Sequence, residues 1–398
     1  MAGLSPSLEQ LLAAKEIVVT CGAGGVGKTT TAAALAVMAA TRHGGKVLVL
    51  TVDPARRLAD ALGVGALGNQ AVRVPARLFP AAGRRAPRGE LWAAMLDTKA
   101  SWDDLVARHA PNRRTARRII DNALYENITG RFVQSHEYIA VERLYDLHCD
   151  GRFDLIVVDT PPSRDALDFL EAPERMADFF ASRFLRVLTA PYRSSVAGFA
   201  SKPFFTVADR VLGSQFLHDI TEFFSLFQTM APGFVERATA VSRLLRDNRT
   251  TYVVVSTLEA SPLHEAGFLV GSLRGKGFHL GAVVLNKVLP AYLLDGEAAG
   301  AAANMVRDAD VLAARLAEAG AGEAAQVARV LTEVGENFLR FQVVAQREAE
   351  HRAELGVSSD VVATVPYFET DIHDLDGLLR LGERLWAGDA DPPPAARH

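Results

Sequence analysis

A chain of 398 residues with 49% apolar and 23% charged side chains is long enough to bury a large core and too apolar to be disordered over most of its length. Its formal net charge of −4 leaves no global positive field to draw it onto nucleic acid or an anionic membrane. Two cysteines, Cys21 and Cys149, stand far apart without C-x-x-C spacing, which argues against a disulfide framework, an iron–sulfur cluster or a thiolate zinc site and fits a reducing cytosol.

The first ten residues lack the basic region and apolar core of a signal peptide, and no run approaches 18 apolar residues. The expectation is a cytoplasmic protein with no integral membrane segment, peripheral at a membrane only through a partner. Ile17 to Cys21 reads as the first strand. It feeds the stretch Gly22-Ala23-Gly24-Gly25-Val26-Gly27-Lys28-Thr29-Thr30, and an Ala-rich helix follows to about Arg42. A strand, a glycine loop and a helix in that order are what a phosphate-binding loop requires, because loop amides and the helix N-terminus then converge on one anion. Gly22, Gly27, Lys28 and Thr29 match G-x-x-x-x-G-K-[ST]. Gly24, Gly25 and Gly27 let the amides turn inward, Lys28 can reach the β- and γ-phosphates, and the Thr29 hydroxyl can ligate Mg²⁺.

Gly44-Gly45 ends the helix, and Lys46 to Val52 is a continuous apolar run suited to a buried parallel strand. Asp53-Pro54-Ala55 follows at its carboxyl end, where open parallel sheets place their ligands. Asp53 caps the helix expected over Arg56 to Leu62, or aims its carboxylate at the γ-phosphate or an attacking water; both can hold at once. Val72 to Glu90 is Pro-, Gly- and Arg-rich and reads as a loop; Leu91 to Leu96 resumes as a strand. Helices are expected over Trp102 to His109, Arg113 to Asn127 and Phe132 to Leu147. Phe153 to Val158 is a strong apolar strand closed by Asp159-Thr160-Pro161-Pro162, the arrangement in which a strand-end carboxylate reaches the Mg²⁺ shell.

Glu174 to Arg246 holds eleven of the twenty Phe residues, and Phe216, Ile220, Phe223, Phe224 and Phe227 recur at helical spacing. That stripe is either the core of an inserted helical subdomain or an apolar groove for a partner. Thr251 to Ser256 and Phe278 to Leu285 are further buried strands with a helix, Ser261 to Gly277, between them. The second is followed by Asn286-Lys287, where a side-chain amide suits an adenine edge. Ala298 to Leu355 is Ala-, Glu- and Arg-rich and helical, ended by Gly356. Val361 to Val365 is the last strand, followed by Pro366-Tyr367-Phe368 and a helix from Ile372 to Trp386. The organisation expected is a single domain over 1–386, a helical subdomain over 174–246 within it, and a disordered tail over 387–398 containing three consecutive prolines.

The ordered set Gly24-Gly25-Val26-Gly27-Lys28-Thr29-Thr30, Asp53-Pro54-Ala55, Asp159-Thr160-Pro161-Pro162-Ser163, Asn286 and Pro366-Tyr367-Phe368 resembles the ArsA family. That family includes the ATPase subunit of arsenite pumps and the targeting ATPase for tail-anchored membrane proteins. The resemblance implies an α/β P-loop NTPase fold, a mostly parallel sheet flanked by helices, acting as a Mg²⁺-dependent ATPase. It also implies a nucleotide-gated dimer, homomeric or formed with a related chain, whose Phe-rich subdomain faces a protein client or partner. By position, Asp53 would activate the attacking water, Thr29 and Asp159 would serve Mg²⁺, and Asn286 with Pro366 to Phe368 would hold adenine.

Three departures qualify the resemblance. The family's loop carries a lysine before the paired glycines that acts across the dimer; here Ala23 stands there, leaving Arg56, Arg57 and Arg164 as candidate replacements. The Gly-His pair after the second Asp is Arg164-Asp165. Neither arsenite-binding cysteines nor a zinc C-x-x-C is present, so a protein partner is expected rather than arsenite. Two other readings are a low-turnover regulatory or assembly subunit, motivated by Ala23, and a partition or division-site ATPase, for which no basic surface or terminal amphipathic helix is evident.

Overall fold

The computed structural model describes residues 7–53, 57–81, 86–122, 124–125, 135–182, 214–354 and 361–387. Eight strands form one sheet: β1 Ile17–Cys21, β2 Lys46–Thr51, β3 Val72–Arg73, β4 Glu90–Met95, β5 Leu155–Asp159, β6 Thr250–Ser256, β7 Leu280–Val288 and β8 Val362–Pro366. Their spatial order is β3-β4-β2-β5-β1-β6-β7-β8. All pairings are parallel except the short antiparallel contact of β3 with β4.

The apolar runs are continuous because both faces of the sheet are covered. Within β1, Ile17, Val19 and Cys21 join the cluster on one face and Val18 joins the other; in β6, Tyr252 and Val254 oppose Val253 and Val255. One face is closed by α1 (Leu8–Ala13), α2 (Lys28–Arg42) and the final helix, Leu375–Ala387. Between these in sequence come α3 (Arg57–Leu62), α4 (Leu78–Ala81), α5 (Thr98–His109), α6 (Arg113–Ile120), α7 (Ser135–Cys149), α8 (Ser163–Ala181), α9 (Ser214–Gln228), α10 (Ala231–Leu245) and α11 (Ala260–Gly275). From α5 onward these helices supply the side chains that cover the opposite face.

The sequence reading differs from the structure at several places. Leu8–Ala13 is a helix with a capping box, Ser7 accepting from the Gln10 amide while Gln10 reaches back; the apolar content of six residues gave no periodic signal. The loop expected over Val72 to Glu90 contains the edge strand β3 and helix α4, both too short for a pattern. Helix α6 stops at Ile120 rather than Asn127, and residue 123 and residues 126–134 lie outside the described residues. The stretch over Ala298 to Leu355, expected to be helical, is divided into three helices, α12 (Gly296–Arg307), α13 (Ala309–Glu318) and α14 (Ala324–Glu354), with the closing helix as α15. Gly320 and Gly322, at φ 88° and 114°, make the turn that lets α13 fold back on α14.

Helix α8 runs without interruption through Pro173 and across Glu174. Phe180, Phe223, Phe227 and Phe234 are buried in the same cluster as sheet residues Val19, Leu48 and Ile156. Their rings contact one another at centroid distances of 5.0 to 5.5 Å, and Trp102 of α5 stacks on Phe234. A subdomain here therefore shares its core with the sheet. Phe184, Phe199, Phe204 and Phe205, the Phe216 side chain and the tail over 388–398 lie outside the described residues. Among the described residues, exposed large apolar side chains gather instead on Tyr292 to Val344, with Val330, Val334 and Phe341 each more than half exposed. No helix among them is long and apolar enough to cross a membrane.

Candidate functional site

Strand β1 lies between β5 and β6, and the chain fills positions on the β5 side before crossing to β6. That reversal opens a crevice at the carboxyl ends of the central strands. Three threonines stitch those ends together. Thr51 at the end of β2 donates to Asp159 Oδ2 at 3.0 Å, Thr160 donates to the Thr20 carbonyl at 2.7 Å, and Thr20 donates to the Val158 carbonyl at 3.0 Å. Parallel register sets Thr51 directly beside Asp159, so the β2 end and the β5 end present one joined surface.

The glycine loop leaves β1 onto this surface. Gly27, at φ 95°, precedes α2, and a Cβ there would collide with the Asn286 amide; Gly22 lies so close to the Val255 carbonyl that a side chain has no room. A loop whose amides turn toward an anion turns carbonyls outward, and these must find donors. Ala23 O accepts from Lys28 Nζ at 2.8 Å, Val26 O from Asn286 Nδ2 at 2.8 Å, Gly25 O from Lys287 Nζ at 3.3 Å, and Gly27 O from the Thr31 amide at 2.9 Å. Asn286 is fixed at both ends, its Oδ1 accepting from the Lys287 amide at 3.0 Å. One amide hydrogen of Asn286 is left for a ligand.

Lys28 is buried, and burial pulls its ammonium below the ordinary lysine value, against the opposing pull of Asp159, Cys21, Asp53 and Glu265. Asp159 is wholly buried, and burial raises its carboxyl from 3.8 to about 6 although the Thr29 and Thr51 hydroxyls and Lys28 favour the charged form. Its Oδ1 has no hydrogen-bond partner among the described residues. An unpartnered buried carboxylate oxygen beside the Thr29 hydroxyl is a hard-oxygen donor set, and it fits Mg²⁺ rather than a thiophilic metal. Cys21, at the foot of the loop, is buried and pushed up to about 12, so its thiol stays protonated and unreactive.

Above this floor lies a cavity of about 620 Å³. Of the residues singled out in the sequence, Gly24, Gly25, Gly27, Lys28, Thr29, Thr30, Asp53, Asn286, Pro366 and Phe368 all line it. Val26 and Asp159 do not, because Val26 packs into the core under the loop and Asp159 forms part of the buried floor. Arg57 lines the cavity; Arg56 and the Arg164 side chain lie outside the described residues. Sequence reasoning missed Thr51, whose role depends on strand register, and Lys287, passed over beside Asn286 although its charge was visible.

The profile of the family described as anion-transporting ATPase matches residues 15–303 of the chain. Relatives include an "ATPase ASNA1 homolog" of Entamoeba dispar, 23% identical over 304 residues and covering 72% of this chain and 82% of the relative. An "ATPase get3" of Neurospora crassa is 24% identical, covering 72% of this chain and 77% of its own length. An "ATPase GET3" of Malassezia globosa is 26% identical, covering 71% and 76%.

Proposed function

The chain belongs to the anion-transporting ATPase family and is an ATPase, and from that premise we propose that its cavity at the strand ends binds and hydrolyses ATP with Mg²⁺ in a nucleotide-gated dimer that acts on a protein partner. The observation that carries the reading is convergence: Gly24, Gly25, residues 27 to 30, 53, 286 and 366 to 368, scattered through the sequence, line one cavity. Its volume suits a ligand of nucleotide size.

In this reading the loop amides and the α2 N-terminus hold the β- and γ-phosphates, and Lys28 leaves the Ala23 carbonyl to place its ammonium among them. Thr29 and Asp159 would hold Mg²⁺, which would supply charge neutralisation on the phosphate oxygens. Asp53 stands at the cavity wall, where a carboxylate can orient a water for in-line attack on the γ-phosphorus. Asn286 latches the loop, and Pro366 with Phe368 offers the apolar surface for the base. A cytoplasmic setting belongs to the same proposal.

A second, slower-turnover reading is favoured by Ala23, which is buried at 6% exposure and offers no charge to a neighbouring subunit. Asp53→Asn tests the main reading. ATP binding is expected to persist in a fluorescence titration while phosphate release is lost; unaltered turnover removes Asp53 from the mechanism. Phosphate release by the isolated wild-type chain, with and without candidate partner chains, measures how far turnover depends on pairing.

The protein partner rests on the family resemblance. Four described phenylalanines of the 174–246 region, Phe180, Phe223, Phe227 and Phe234, are core residues and do not offer their faces to it, while Phe179 and Phe224 are half-buried against the same cluster.

A further inference from the structure

We infer that Lys287 is a second phosphate-binding cation of this site, one that leaves the Gly25 carbonyl to take a phosphate oxygen of a nucleoside triphosphate. The inference rests on the ATP-site reading above and adds a residue to it.

Lys287 sits near the end of β7, where an extended strand would send consecutive side chains to opposite faces. Here they go the same way: Asn286 reaches the Val26 carbonyl and Lys287 the Gly25 carbonyl. Two features of the backbone bring this about. The pairing of β7 with β8 shifts register between Leu285 and Val288, and Lys287 has φ 58°, the one positive value at a non-glycine residue among those described. The left-handed conformation is one that L-residues avoid and that Asn and Gly tolerate best. A lysine kept there is a poor choice for local geometry and needs another reason.

The two neighbours are built differently. Asn286 is buried, neutral and bonded at both amide atoms, as a latch requires. Lys287 is exposed at the cavity, holds Gly25 O through a long bond of 3.3 Å, and forms no ion pair among the described residues. A prop for one carbonyl needs no charge, whereas an ammonium with three donors on a flexible stem can exchange that carbonyl for a phosphate oxygen.

The charge of the cavity points the same way. Asp53, Asp60 and Asp371 line it against Lys28, Arg57 and Lys287. Without Lys287 a triphosphate would enter a wall of three carboxylates and two cations. With it the wall is balanced before Mg²⁺ contributes.

The test compares Lys287→Asn, which suits the left-handed backbone and removes the charge, with Lys287→Arg, which keeps the charge. ATP affinity is measured with Mg²⁺ at about 0.05 M and about 0.5 M salt, since exposed charges are screened over that range. Lys287→Asn is expected to weaken ATP binding about tenfold at low salt, with the deficit shrinking to about threefold or less at high salt, and Lys287→Arg to stay within about threefold of wild type. Unchanged affinity in Lys287→Asn overturns the inference. So does a loss of equal size at both salt concentrations that arginine does not restore, which is the behaviour of a structural prop. Lys28→Ala, measured alongside, separates the two levels: retained ATP binding there refutes the site itself. Lost binding there with an unaffected Lys287→Asn refutes only the second cation.

Discussion

Asp159→Asn is expected to make the nucleotide-free protein more stable at neutral pH and to remove a pH dependence that the wild type carries. In the fold the carboxyl titrates near 6, against 3.8 for an ordinary aspartate, because it is wholly buried with only partial compensation from Thr51, Thr29 and Lys28. Between those two values the unfolded chain has lost a proton that the folded chain still holds. Stability contributed by this group is therefore highest below the unfolded value, falls as pH rises through the window, and stays low above about 6. A shift of about two pH units corresponds to about 3 kcal/mol. Asparagine keeps an acceptor for the Thr51 hydroxyl and cannot ionise, so the difference between the two proteins isolates the group. Urea unfolding from pH 3 to pH 8, without Mg²⁺ or nucleotide, should show the stability difference changing by about 3 kcal/mol across the window in favour of the variant. A difference that is flat with pH would refute the reasoning. Adding MgATP should then stabilise the wild type by about 2.7 kcal/mol at a hundredfold excess over Kd, while leaving the variant nearly unmoved.

Gly27→Ala places a methyl group against the Asn286 amide at a residue with φ 95°; ATP binding should be lost in a calorimetric titration, and stability should drop by about 1–3 kcal/mol. Arg237→Ala removes the guanidinium that pairs with Glu142 and Asp146. Burial already raises the Glu142 pKa against the pull of Arg237, so truncation should cost about 3 kcal/mol at neutral pH, with less lost when Glu142→Gln is added. Phe227→Ala, in the ring cluster with Phe180, Phe223 and Phe234, should cost about 3–5 kcal/mol in chemical denaturation. A stably folded Phe227→Ala protein that fails only in partner capture would return that face to the partner reading.

Much of the candidate site was legible because its residues sit where strands end, and strand ends are marked by composition. An apolar run followed by glycines, or closed by Asp53 or Asp159, declares both its element and its position along the sheet. The β3 edge strand and helix α4 had no such signal, since two and four residues are below the length at which a period can be read. The α12 to α14 segment is legible as helix but not in its breaks: its helical composition is uniform, and the turn between α13 and α14 depends on Gly320 and Gly322 adopting conformations that the flanking pattern does not announce.

What could not be read was lateral. The order of strands decides which ends are neighbours, and only with β2 beside β5 does Thr51 become a partner of Asp159. The phenylalanines illustrate the same limit, because a helical stripe is apolar whether it meets solvent, a partner or the protein's own sheet. Lys287 is the sharper case. Alternation along a strand predicts that it points away from Asn286, and the prediction fails because the register shift at the end of β7 and a left-handed residue rotate it back over the loop. A side chain carried against its strand's own geometry to the glycine loop is thus invisible to pattern and plain in structure. Its charge gives the local departure a chemical reason.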